Sequence, residues 1–472
     1  MRVALVVPEA TVRVTDAIPP FNLGYLASYL RKCRPDITIK IVDGTAKQDV
    51  KLCLIQFNPD IIGITAVTPQ ALDAYALAKW IRKVFPNALL VIGGIHASSL
   101  PEEASEHVDV VVVGEGEKAL VEIVENWLYG NPQQKIMIGK PILNLDEIPS
   151  PAWDLMDLNF YFGRGYSFPF GLKAQSKVIG LITSRGCPYR CPFCYNSFRS
   201  TPVRYFSAER VATDIEYFVK NYDVHTFSFM DDEFAINKSR LQQIIKLISD
   251  KGLLGEFIFV CNVRAKSMTF ERLALLKKLG CYTISCGVEN CVQRMLNFLK
   301  DRTTTIRDIE KALSNAEKMR ILVAASIIYG SPTETLAEMK ETWRWIEHHE
   351  GIKLINLCIM TPYPRTRIHE LCVKKGLLPE KLDYGRLIMT EAAENTYLVS
   401  AVPDKYFSTF IRDARRMSWL LSSCRLIRVQ SEHKFRDYLR LMKVKTFWWV
   451  ALFHFSKTVF YSRQAFAKVS ED

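Results

Sequence analysis

The sequence predicts an α/β fold in three parts: an N-terminal parallel sheet, a partial (β/α)6 barrel of the TIM type and a helical C-terminal region. Short runs of Val, Ile and Leu alternate with amphipathic stretches over residues 1–140 and again over residues 178–378. Continuous apolar strands separated by helices are typical of parallel sheets covered by helices. Beyond residue 378 the alternation stops, and the chain becomes helical, basic and aromatic.

The bulk composition is that of a globular protein with more than one domain. A chain of 472 residues exceeds the size of a single hydrophobic core, and its 49% hydrophobic and 24% charged residues are ordinary values. Its twelve cysteines do not indicate secretion, because Met1 leads directly into an apolar strand and nothing there resembles a secretory signal. Reduced thiols and a cytoplasmic location are therefore expected.

The first part, residues 1–140, is predicted to form a Rossmann-like (flavodoxin-like) sheet. Its predicted strands are Arg2–Pro8, Ile37–Asp43, Ile61–Val67, Leu89–Gly94 and Val108–Gly114, and its helical patterns include Asn22–Lys32, Pro69–Val84 and Glu117–Trp127. Such a sheet binds ligands at the carboxyl ends of its strands. The loops at those ends are rich in Gly, Ser and Thr, so the backbone can approach a large flat ligand there. They supply the candidate binding residues Thr65, Gly93, Gly94, Gly114 and Glu115.

A linker, residues 141–177, precedes the predicted barrel of residues 178–378. Its prolines and aromatic residues indicate an ordered crossing segment rather than a flexible tether. The predicted barrel strands are Val178–Thr183, His225–Met230, Phe257–Val263, Tyr282–Val288, Val323–Tyr329 and Leu354–Met360, and the helical patterns are Ala208–Lys220, Lys238–Lys251, Phe270–Leu279, Thr305–Lys318 and Glu334–His349. Six units give an open barrel, whose catalytic groups are expected at the carboxyl ends of the strands.

Three cysteines follow the first barrel strand directly, within the stretch SRGCPYRCPFCYN. Cys187, Cys191 and Cys194 have the spacing C-x-x-x-C-x-x-C, which lets three thiolates ligate an iron–sulfur cube and leaves one iron free for a small ligand. Phe193 can shield such a cluster from water. A zinc knuckle is the alternative, but structural zinc sites pair two such hooks, and no second hook is evident in this sequence.

This motif matches the C-x-x-x-C-x-aromatic-C signature at every position and resembles the radical S-adenosylmethionine (SAM) enzymes. The resemblance implies a 4Fe-4S cluster held by Cys187, Cys191 and Cys194. It also implies that the open iron is chelated by the amino and carboxylate groups of SAM, which an electron from the cluster cleaves to a deoxyadenosyl radical. These three cysteines are therefore the predicted catalytic and metal-binding residues.

Further barrel residues match the family's SAM-binding positions. Asp231 and Asp232 follow the second strand, where a carboxylate can hold the amino group of SAM; the alternative is a helix N-cap. Arg264 follows the third strand and can grip the SAM carboxylate, although a surface salt bridge would explain it equally well. Glu289 lies in a GVEN stretch similar to the family's GVES and can bind ribose hydroxyls, with Lys300 as the downstream Lys.

Two turns at the ends of the last strands also resemble family motifs. Gly330 and Pro332 lie in GSPTET, which is similar to a turn that borders the adenine, although Thr333 replaces its second Gly. The sequence TPYPRT has Arg365 where the family usually has Gly. This arginine either recognises an anionic substrate or faces solvent, and the sequence does not separate these alternatives.

The first part resembles the cobalamin-binding domain fused to many radical SAM enzymes. The resemblance rests on the segments PPFNLGYLASYLR, IGITAVTPQALDAYALAKWIRK and VIGGIHASSLPEEASEHVDVVVVGEGE. The D-x-H-x-x-G motif of cobalamin mutases is absent, since Asp43 is followed by Gly-Thr-Ala-Lys-Gln, so cobalamin is expected base-off. His96 is a less favoured candidate ligand than a hydrogen-bonded loop residue. The remaining alternative is a vestigial domain that binds nothing.

The C-terminal region, residues 379–472, is the basic part of the chain. Residues 403–472 contain 14 basic and 6 acidic residues and so carry +8 of the net +12. The cationic stretch Lys434–Lys445 precedes the apolar run Thr446–Phe455, which is too short to span a bilayer. Peripheral contact with a membrane and packing of this helix on the barrel are equally favoured. Nucleic-acid binding is not expected, because no reading motif is present.

The resemblance implies an enzyme that uses SAM and cobalamin to methylate an unactivated carbon of a small-molecule or lipid-like substrate. An electron donor such as flavodoxin or ferredoxin would be its partner. Cyclisation, ring rearrangement or oxygen insertion without methyl transfer is the alternative within the family. A non-enzymatic cobalamin or redox sensor is the alternative outside it, but that would leave the predicted SAM residues without a role.

Overall fold

The computed structural model describes residues 1–10, 18–162, 177–198, 202–389 and 395–431. Within these ranges the chain forms two six-stranded parallel sheets and one short antiparallel hairpin. The α/β fold predicted from the sequence is confirmed, with one sheet in each of the first two predicted parts and a helix at the described end of the chain.

The first sheet has the strand order β2-β1-β3-β4-β5-β6. Its strands are β1 (Arg2–Val7), β2 (Thr38–Asp43), β3 (Ile61–Thr65), β4 (Leu89–Gly93), β5 (Val110–Gly114) and β6 (Ile136–Gly139). The order reverses between β1 and β3, which makes this pair the switch point where parallel sheets bind ligands. The five predicted strands are present, but the edge strand β6 was missed. It has only four residues and exposes Ile138, so it lacks the buried apolar run that marked the others.

Helices cover both faces of the first sheet. They are α1 (Phe21–Cys33), α2 (Val50–Phe57), α3 (Ala71–Val84), α4 (Ile95–Ser99), α5 (Pro101–Ser105) and α6 (Glu117–Tyr129). Two separate apolar clusters result: α2 and α3 pack on one face, and α1 and α6 pack on the other. Strand residues are therefore buried on both sides, as at Val3, Ala4 and Leu5, and this burial explains the continuous apolar runs of the sequence.

The second sheet contains all six predicted barrel strands in chain order, from β7 at one edge to β14 at the other. A short crossing helix, α7 (Leu158–Tyr161), precedes it. The strands are β7 (Val178–Leu181), β10 (Thr226–Phe229), β11 (Ile258–Asn262), β12 (Cys281–Glu289), β13 (Leu322–Tyr329) and β14 (Leu354–Ile359). A hairpin of β8 (Ser184–Arg185) and β9 (Arg204–Tyr205) follows β7. The sheet is therefore an open, partial barrel.

The described part of the barrel has seven helices, and all but the last enter the apolar cluster on one face of the sheet. They are α8 (Ala208–Tyr222), α9 (Lys238–Asp250), α10 (Phe270–Leu279), α11 (Gln293–Leu299), α12 (Ile306–Lys318), α13 (Leu336–His348) and α14 (Arg367–Lys374). Alternate strand residues, such as Cys286 and Val288 of β12, enter the apolar cluster under these helices. The residues between them face the interior of the barrel.

The segment after the barrel contacts both sheets. Tyr384 and Leu387 join the apolar cluster of α2 and α3 in the first part, which the sequence did not indicate. The helix α15 (Asp404–Ser431) then runs along the edge strand β14, where Ser422 accepts a hydrogen bond from the Ile355 N–H at 3.1 Å. This contact covers an edge that would otherwise expose unpaired backbone groups.

The predicted basic stretch Lys434–Lys445 and the apolar run Thr446–Phe455 lie outside the described residues. In the part of the chain that the structure describes, every helix is too short or too polar to cross a bilayer.

Candidate active site between the two sheets

The cysteine loop follows the first barrel strand and is fixed by contacts to other strand ends. The Cys194 N–H donates to the Cys191 carbonyl at 3.0 Å, which closes a tight turn. The start of α14, which follows β14, packs on this turn, since the Ile368 N–H donates to the Pro192 carbonyl at 3.2 Å. Phe193 packs against an apolar cluster that includes Met360 and Ile368. The first and last strands therefore meet through their loops.

The thiols have surroundings that suit metal ligands. The Arg264 guanidinium donates to Cys191 Sγ at 3.5 Å, and the Asn196 N–H donates to Cys194 Sγ at 3.4 Å. Burial raises the pKa of Cys187, and it raises the pKa of Cys194 to about 11, so binding a metal there would release protons. Among the described residues, no three Cys, His, Asp or Glu side chains already lie close enough to hold one metal ion. The fit to a cluster therefore rests on donor type, spacing and these surroundings.

The two adjacent aspartates differ in their environment. Asp231 is fully buried, and its carboxylate accepts hydrogen bonds at 2.6 Å from the Thr183 N–H, the Thr183 hydroxyl and the Ser184 hydroxyl. Asp232 is exposed, lines the cleft between the sheets and accepts a hydrogen bond from Asn196 at 3.0 Å. The contacts of Asp231 hold the start of the cysteine loop, so only Asp232 is placed to meet a ligand. Neither residue caps a helix, since α9 is capped by Asn237.

Arg264 is buried beside the cysteine loop. Its guanidinium bonds to Thr304 Oγ1, to the Thr303 hydroxyl and to the Lys300 carbonyl, and it stacks over the Tyr189 ring at 3.7 Å. These contacts exclude the surface salt bridge that the sequence left open. They also occupy most of the donors that a SAM carboxylate would need, so this arginine mainly supplies positive charge next to Cys191.

Glu289 and Lys300 form a buried ion pair of 2.6 Å at the end of β12. The sequence had related these two residues only through the family motif, in which a Lys lies downstream of the GVEN stretch. Glu289 has a φ of +63°, a strained conformation for a residue with a side chain. Such strain is typical of functional sites, where the surrounding structure enforces it.

The turn after β13 depends on a glutamate that the sequence analysis did not single out. Glu334 is fully buried and accepts hydrogen bonds at 2.7 Å from the Gly330 N–H and from the Asn290 amide. Gly330 has a φ of +86°, and a Cβ there would lie 2.8 Å from Phe407 of α15. Pro332 follows in the same buried turn.

Arg365 lies in the loop after β14 and adopts a φ of +64°, which explains why the family usually has glycine at this position.

A cleft of about 350 Å³ opens between the two sheets. From the first part it is lined by Asn22, Tyr25, Gly63, Thr65, Gly93, Gly94, Gly114, Glu115 and Glu117, and from the barrel by Ile182, Ser184, Arg185, Gly186, Met230 and Asp232. It extends between β1, β3, β4 and β5 and the helices α1 and α6, as the apolar residues Leu5, Val91 and Leu120 show. All five residues predicted at the strand ends thus line one cleft.

Two glycines of the cleft adopt positive φ, and one of them also approaches a neighbouring side chain closely. Gly94 has a φ of +95°, and a Cβ there would lie 2.8 Å from Thr65 Oγ1. Thr65 in turn accepts a hydrogen bond from Asn22 at 2.8 Å. Gly114 has a φ of +91°, and its N–H donates to Ser98 Oγ at 2.9 Å. The backbone is therefore exposed to the cleft, which suits a large flat ligand.

His96 does not face this cleft. It is fully buried, its Nε2 lies 2.9 Å from the Tyr75 hydroxyl, and its ring packs against Tyr384. His96 is therefore hydrogen-bonded, as expected, but it lies in α4 rather than in a loop. Asp43, at the position of the absent motif, accepts hydrogen bonds from the Tyr161 hydroxyl and the Thr45 N–H. Among the described residues, the lining of the cleft contains no histidine.

Glu115 lies in the cleft, but its carboxylate is paired with arginines of the barrel. It binds Arg204 through both carboxylate oxygens, and Arg185 lies 3.5 Å away. Arg185 also pairs with Glu117 at 2.7 Å. Arg185 and Glu117 lie in motifs that were predicted to be functional, but neither residue was predicted to have a role. Opposite charges in two motifs predicted to lie at strand ends of different sheets were the only signal in the sequence for this ion pair.

Comparisons with known proteins agree with this arrangement. The radical SAM superfamily model matches residues 181–346, and the B12 binding domain model matches residues 10–124. An uncharacterized methyltransferase of Pyrococcus horikoshii is 31% identical over 404 residues, which cover 80% of this chain and 84% of that protein. The anaerobic magnesium-protoporphyrin IX monomethyl ester cyclase of Cereibacter sphaeroides is 27% identical over 78% of this chain and 63% of its own length.

Solved structures share the fold at low sequence identity. The cobalamin-dependent SAM radical enzyme OxsB, in its apo form, aligns with a TM-score of 0.66 and 19% identity, covering 89% of this chain and 72% of OxsB. The radical SAM methyltransferase TsrM from Kitasatospora setae, bound to tryptophan and a SAM analogue, aligns with a TM-score of 0.64 and 18% identity. That alignment covers 79% of this chain and 77% of TsrM.

Proposed function

This chain belongs to the radical SAM enzymes that carry a cobalamin-binding domain, and we propose that it methylates an unactivated carbon of a small, polar molecule. One observation carries the proposal: the glycine-rich strand ends of the first sheet line the same cleft as Ser184, Arg185 and Gly186, the three residues that lead directly to Cys187. A cofactor bound at either sheet therefore faces the other across one opening. The cluster supplies the electron that cleaves SAM, and cobalamin supplies a carrier for the methyl group.

The proposed cluster ligands are the thiolates of Cys187, Cys191 and Cys194. The Arg264 guanidinium and the Asn196 N–H both donate toward these sulfurs, and such contacts favour the thiolate that a metal requires. Phe193 shields the loop on its apolar side. Asp231 acts indirectly, since it holds the backbone and hydroxyl groups just before the loop.

The proposed SAM-binding residues surround the cysteine loop on the neighbouring strand ends. Asp232 has an accessible carboxylate for the amino group of SAM. Glu289 accepts from ribose hydroxyls with the carboxylate oxygen that Lys300 leaves free. The turn of Gly330 and Pro332 borders the adenine, and Glu334 fixes it from beneath.

The proposed cobalamin site is the part of the cleft that extends into the first sheet. The exposed backbone at Thr65, Gly93, Gly94 and Gly114 accommodates the flat ring, and the apolar channel against α1 and α6 accommodates the nucleotide tail. We propose base-off binding, supported by the absence of histidine from the described lining and by the burial of His96.

The interior wall of the barrel favours a polar substrate over a lipid. Strand register places Ser285 beside Asn262, and Ser326 between Gly287 and Asn356. These residues alternate with those buried under the helices, and they are half-buried or exposed. Small side chains with hydrogen-bonding groups leave room for a ligand that can satisfy them. Asn262 already donates to the Asp231 carbonyl at 3.0 Å, but for Ser285, Ser326 and Asn356 an apolar ligand would cost about 1–3 kcal/mol per group left without a hydrogen bond.

The test is anaerobic reconstitution of the full chain with iron, sulfide and cobalamin. Flavodoxin, ferredoxin or dithionite provides electrons, and SAM with a deuterated methyl group is supplied with fractionated cell extract. We expect deoxyadenosine, S-adenosylhomocysteine and a polar extract compound heavier by a labelled methyl group. Formation of deoxyadenosine with a rearranged but unlabelled product would instead support cyclisation or ring rearrangement. Absence of deoxyadenosine under all conditions would support the sensor.

A further inference from the structure

Four charged side chains form a buried cluster where the two sheets meet. Arg185 and Arg204 belong to the β8–β9 hairpin, and Glu115 and Glu117 follow β5 of the first sheet. Their side chains are between 5% and 17% exposed, so their interactions are weakly screened. Two positive and two negative charges balance, and each arginine meets a carboxylate of the opposite sheet. We call these four residues the inter-sheet ion cluster.

Other contacts hold the inter-sheet ion cluster in place from both sides. Arg185 lies over the Tyr25 ring at 5.1 Å, and the Tyr25 hydroxyl donates to the Ile182 carbonyl at 3.4 Å. Arg204 also donates to the Ile142 carbonyl of the linker. Arg185 is itself mostly buried, and its guanidinium meets Glu117 at 2.7 Å and Glu115 at 3.5 Å.

The inter-sheet ion cluster lies between the two proposed cofactor sites. Glu115 and Glu117 line the cleft and follow Gly114, whose backbone borders the proposed cobalamin site. Arg185 also lines the cleft, and only Gly186 separates it from Cys187. Gly186 has a φ of +93°, so the direction of the loop at this point is set by a conformation that favours glycine. Both carboxylates thus contact a residue that lies two positions before the first proposed cluster ligand.

We propose that Arg185 is a positioning residue through which cobalamin binding in the first sheet favours SAM binding at the cysteine loop. The inference rests on the proposed function, because it assumes that both ligands bind at their assigned sites. A ligand that fills the cleft fixes Glu115 and Glu117, and these hold Arg185 and the loop in the arrangement that binds SAM. Thermodynamic linkage requires the effect to be reciprocal, so SAM must tighten cobalamin binding by the same factor.

The test measures this factor directly on the full chain with a reconstituted cluster. The dissociation constant for SAM is determined by calorimetry with and without hydroxocobalamin, and that for hydroxocobalamin by absorbance with and without SAM. We expect both ratios to be equal and about tenfold, within the usual range for coupled sites. Equal affinities with and without the other ligand would overturn the inference, and this measurement on the wild type needs no variant.

Variants then locate the coupling. Glu117→Gln keeps the shape of the side chain and removes the charge that faces Arg185, so we expect the ratio to fall to near one while iron content and each separate affinity change less than threefold. Arg185→Lys keeps a charge but loses the guanidinium fork, so we expect an intermediate ratio. An unchanged ratio in Glu117→Gln would overturn the role of Arg185.

The matched control is Asp154→Asn, which breaks the exposed ion pair of 3.0 Å between Arg31 of α1 and the linker. We expect it to keep the wild-type ratio, and loss of the coupling there would overturn the specific role of the inter-sheet ion cluster. Failure of the proposed function can be distinguished from failure of this inference. If hydroxocobalamin does not bind the wild type at all, both proposals fall, whereas tight binding of both ligands without coupling contradicts the inference alone.

Discussion

The two sheets have the same number of strands and nearly the same repeating unit, yet they place ligands differently. In the first sheet the strand order reverses between β1 and β3, so helices cover both faces, with α1 and α6 on one and α2 and α3 on the other. In the second sheet the order follows the chain, so the helices from α8 to α13 pack on one face and the other face is directed to the interior of an open barrel.

This difference in strand order decides what each sheet can bind. The first sheet is filled on both sides, so a ligand must use the strand ends and the channel beneath α1 and α6. The second sheet has an inner face that carries Ser285, Ser326 and Asn356, which are half-buried or exposed. Under the proposed function, a large cofactor and a small substrate would meet at one opening from two arrangements of parallel strands.

The largest expected effect comes from Cys191→Ala, which separates the functions of the two sheets. Loss of one of three ligands should reduce bound iron and deoxyadenosine formation to background, because the cluster then lacks a corner ligand. Cobalamin affinity should stay within a few-fold of the wild type, since the first sheet is untouched. Iron analysis and cobalamin absorbance are the measurements, and the exposed Cys33→Ala is the control. Normal iron content in Cys191→Ala would contradict the ligand assignment.

Lys300→Met should destabilise the barrel by about 3–5 kcal/mol, because it leaves the buried Glu289 carboxylate without its partner. SAM affinity should fall with it. Denaturant unfolding measures the loss. The control Arg294→Met breaks the half-exposed pair with Glu338 on the outer face and should cost about 1 kcal/mol or less. Equal losses of unfolding free energy in the two variants would mean that breaking the buried ion pair costs no more than breaking the exposed one, which would contradict the prediction.

The stability of the barrel should decrease as the pH rises through about 7. Burial raises the pKa of Glu334 to about 7, above its value in the unfolded chain. The protonated carboxyl therefore stabilises the folded state fully at a pH below the unfolded pKa. This stabilisation is lost as the pH rises through the folded pKa. The shift corresponds to about 3 kcal/mol between pH 4 and pH 8.

Glu334→Gln should reduce this pH dependence without abolishing it, because burial also raises the pKa of Glu233 to about 7. Thermal unfolding of the wild type and the variant at several pH values is the measurement. Parallel curves for the two proteins would show that Glu334 does not bind a proton on folding.

The smallest expected effect is that of Gly94→Ala in the first sheet. An alanine at a φ of +95° is strained by about 1–2 kcal/mol, and its Cβ would displace the Thr65 hydroxyl. We expect cobalamin affinity to fall about tenfold, with iron content and deoxyadenosine formation unchanged. Gly130→Ala is the control, because that glycine also has a positive φ but its Cβ would contact nothing within 4 Å. An equal loss of affinity in both would contradict the placement of cobalamin beside Gly94.

Much of the fold could be predicted because the strands are long and apolar. The first five strands of the first sheet and all six of the barrel were found, whereas β6 was missed because it is short and exposed at an edge. The cysteine loop was predicted because three ligands with fixed spacing lie within eight residues of the chain. The pairing of Glu289 with Lys300 was implied only by resemblance to a known motif.

Contacts between distant segments could not be predicted. Nothing local indicates that Tyr384 returns to the first sheet, or that Arg185 and Glu117 pair across 68 positions of the chain. The different environments of Asp231 and Asp232 were also hidden, since adjacent residues of a loop can face opposite directions. Side-chain burial decides which of two similar carboxylates meets a ligand, and burial depends on the whole fold.

The most direct test of the account is electron paramagnetic resonance of the anaerobically reconstituted, reduced protein with and without SAM. The account predicts about four iron atoms per chain, a signal of a reduced 4Fe-4S cluster and a change of that signal when SAM is added. Zinc at the cysteine loop, or a cluster whose signal does not respond to SAM, would contradict it.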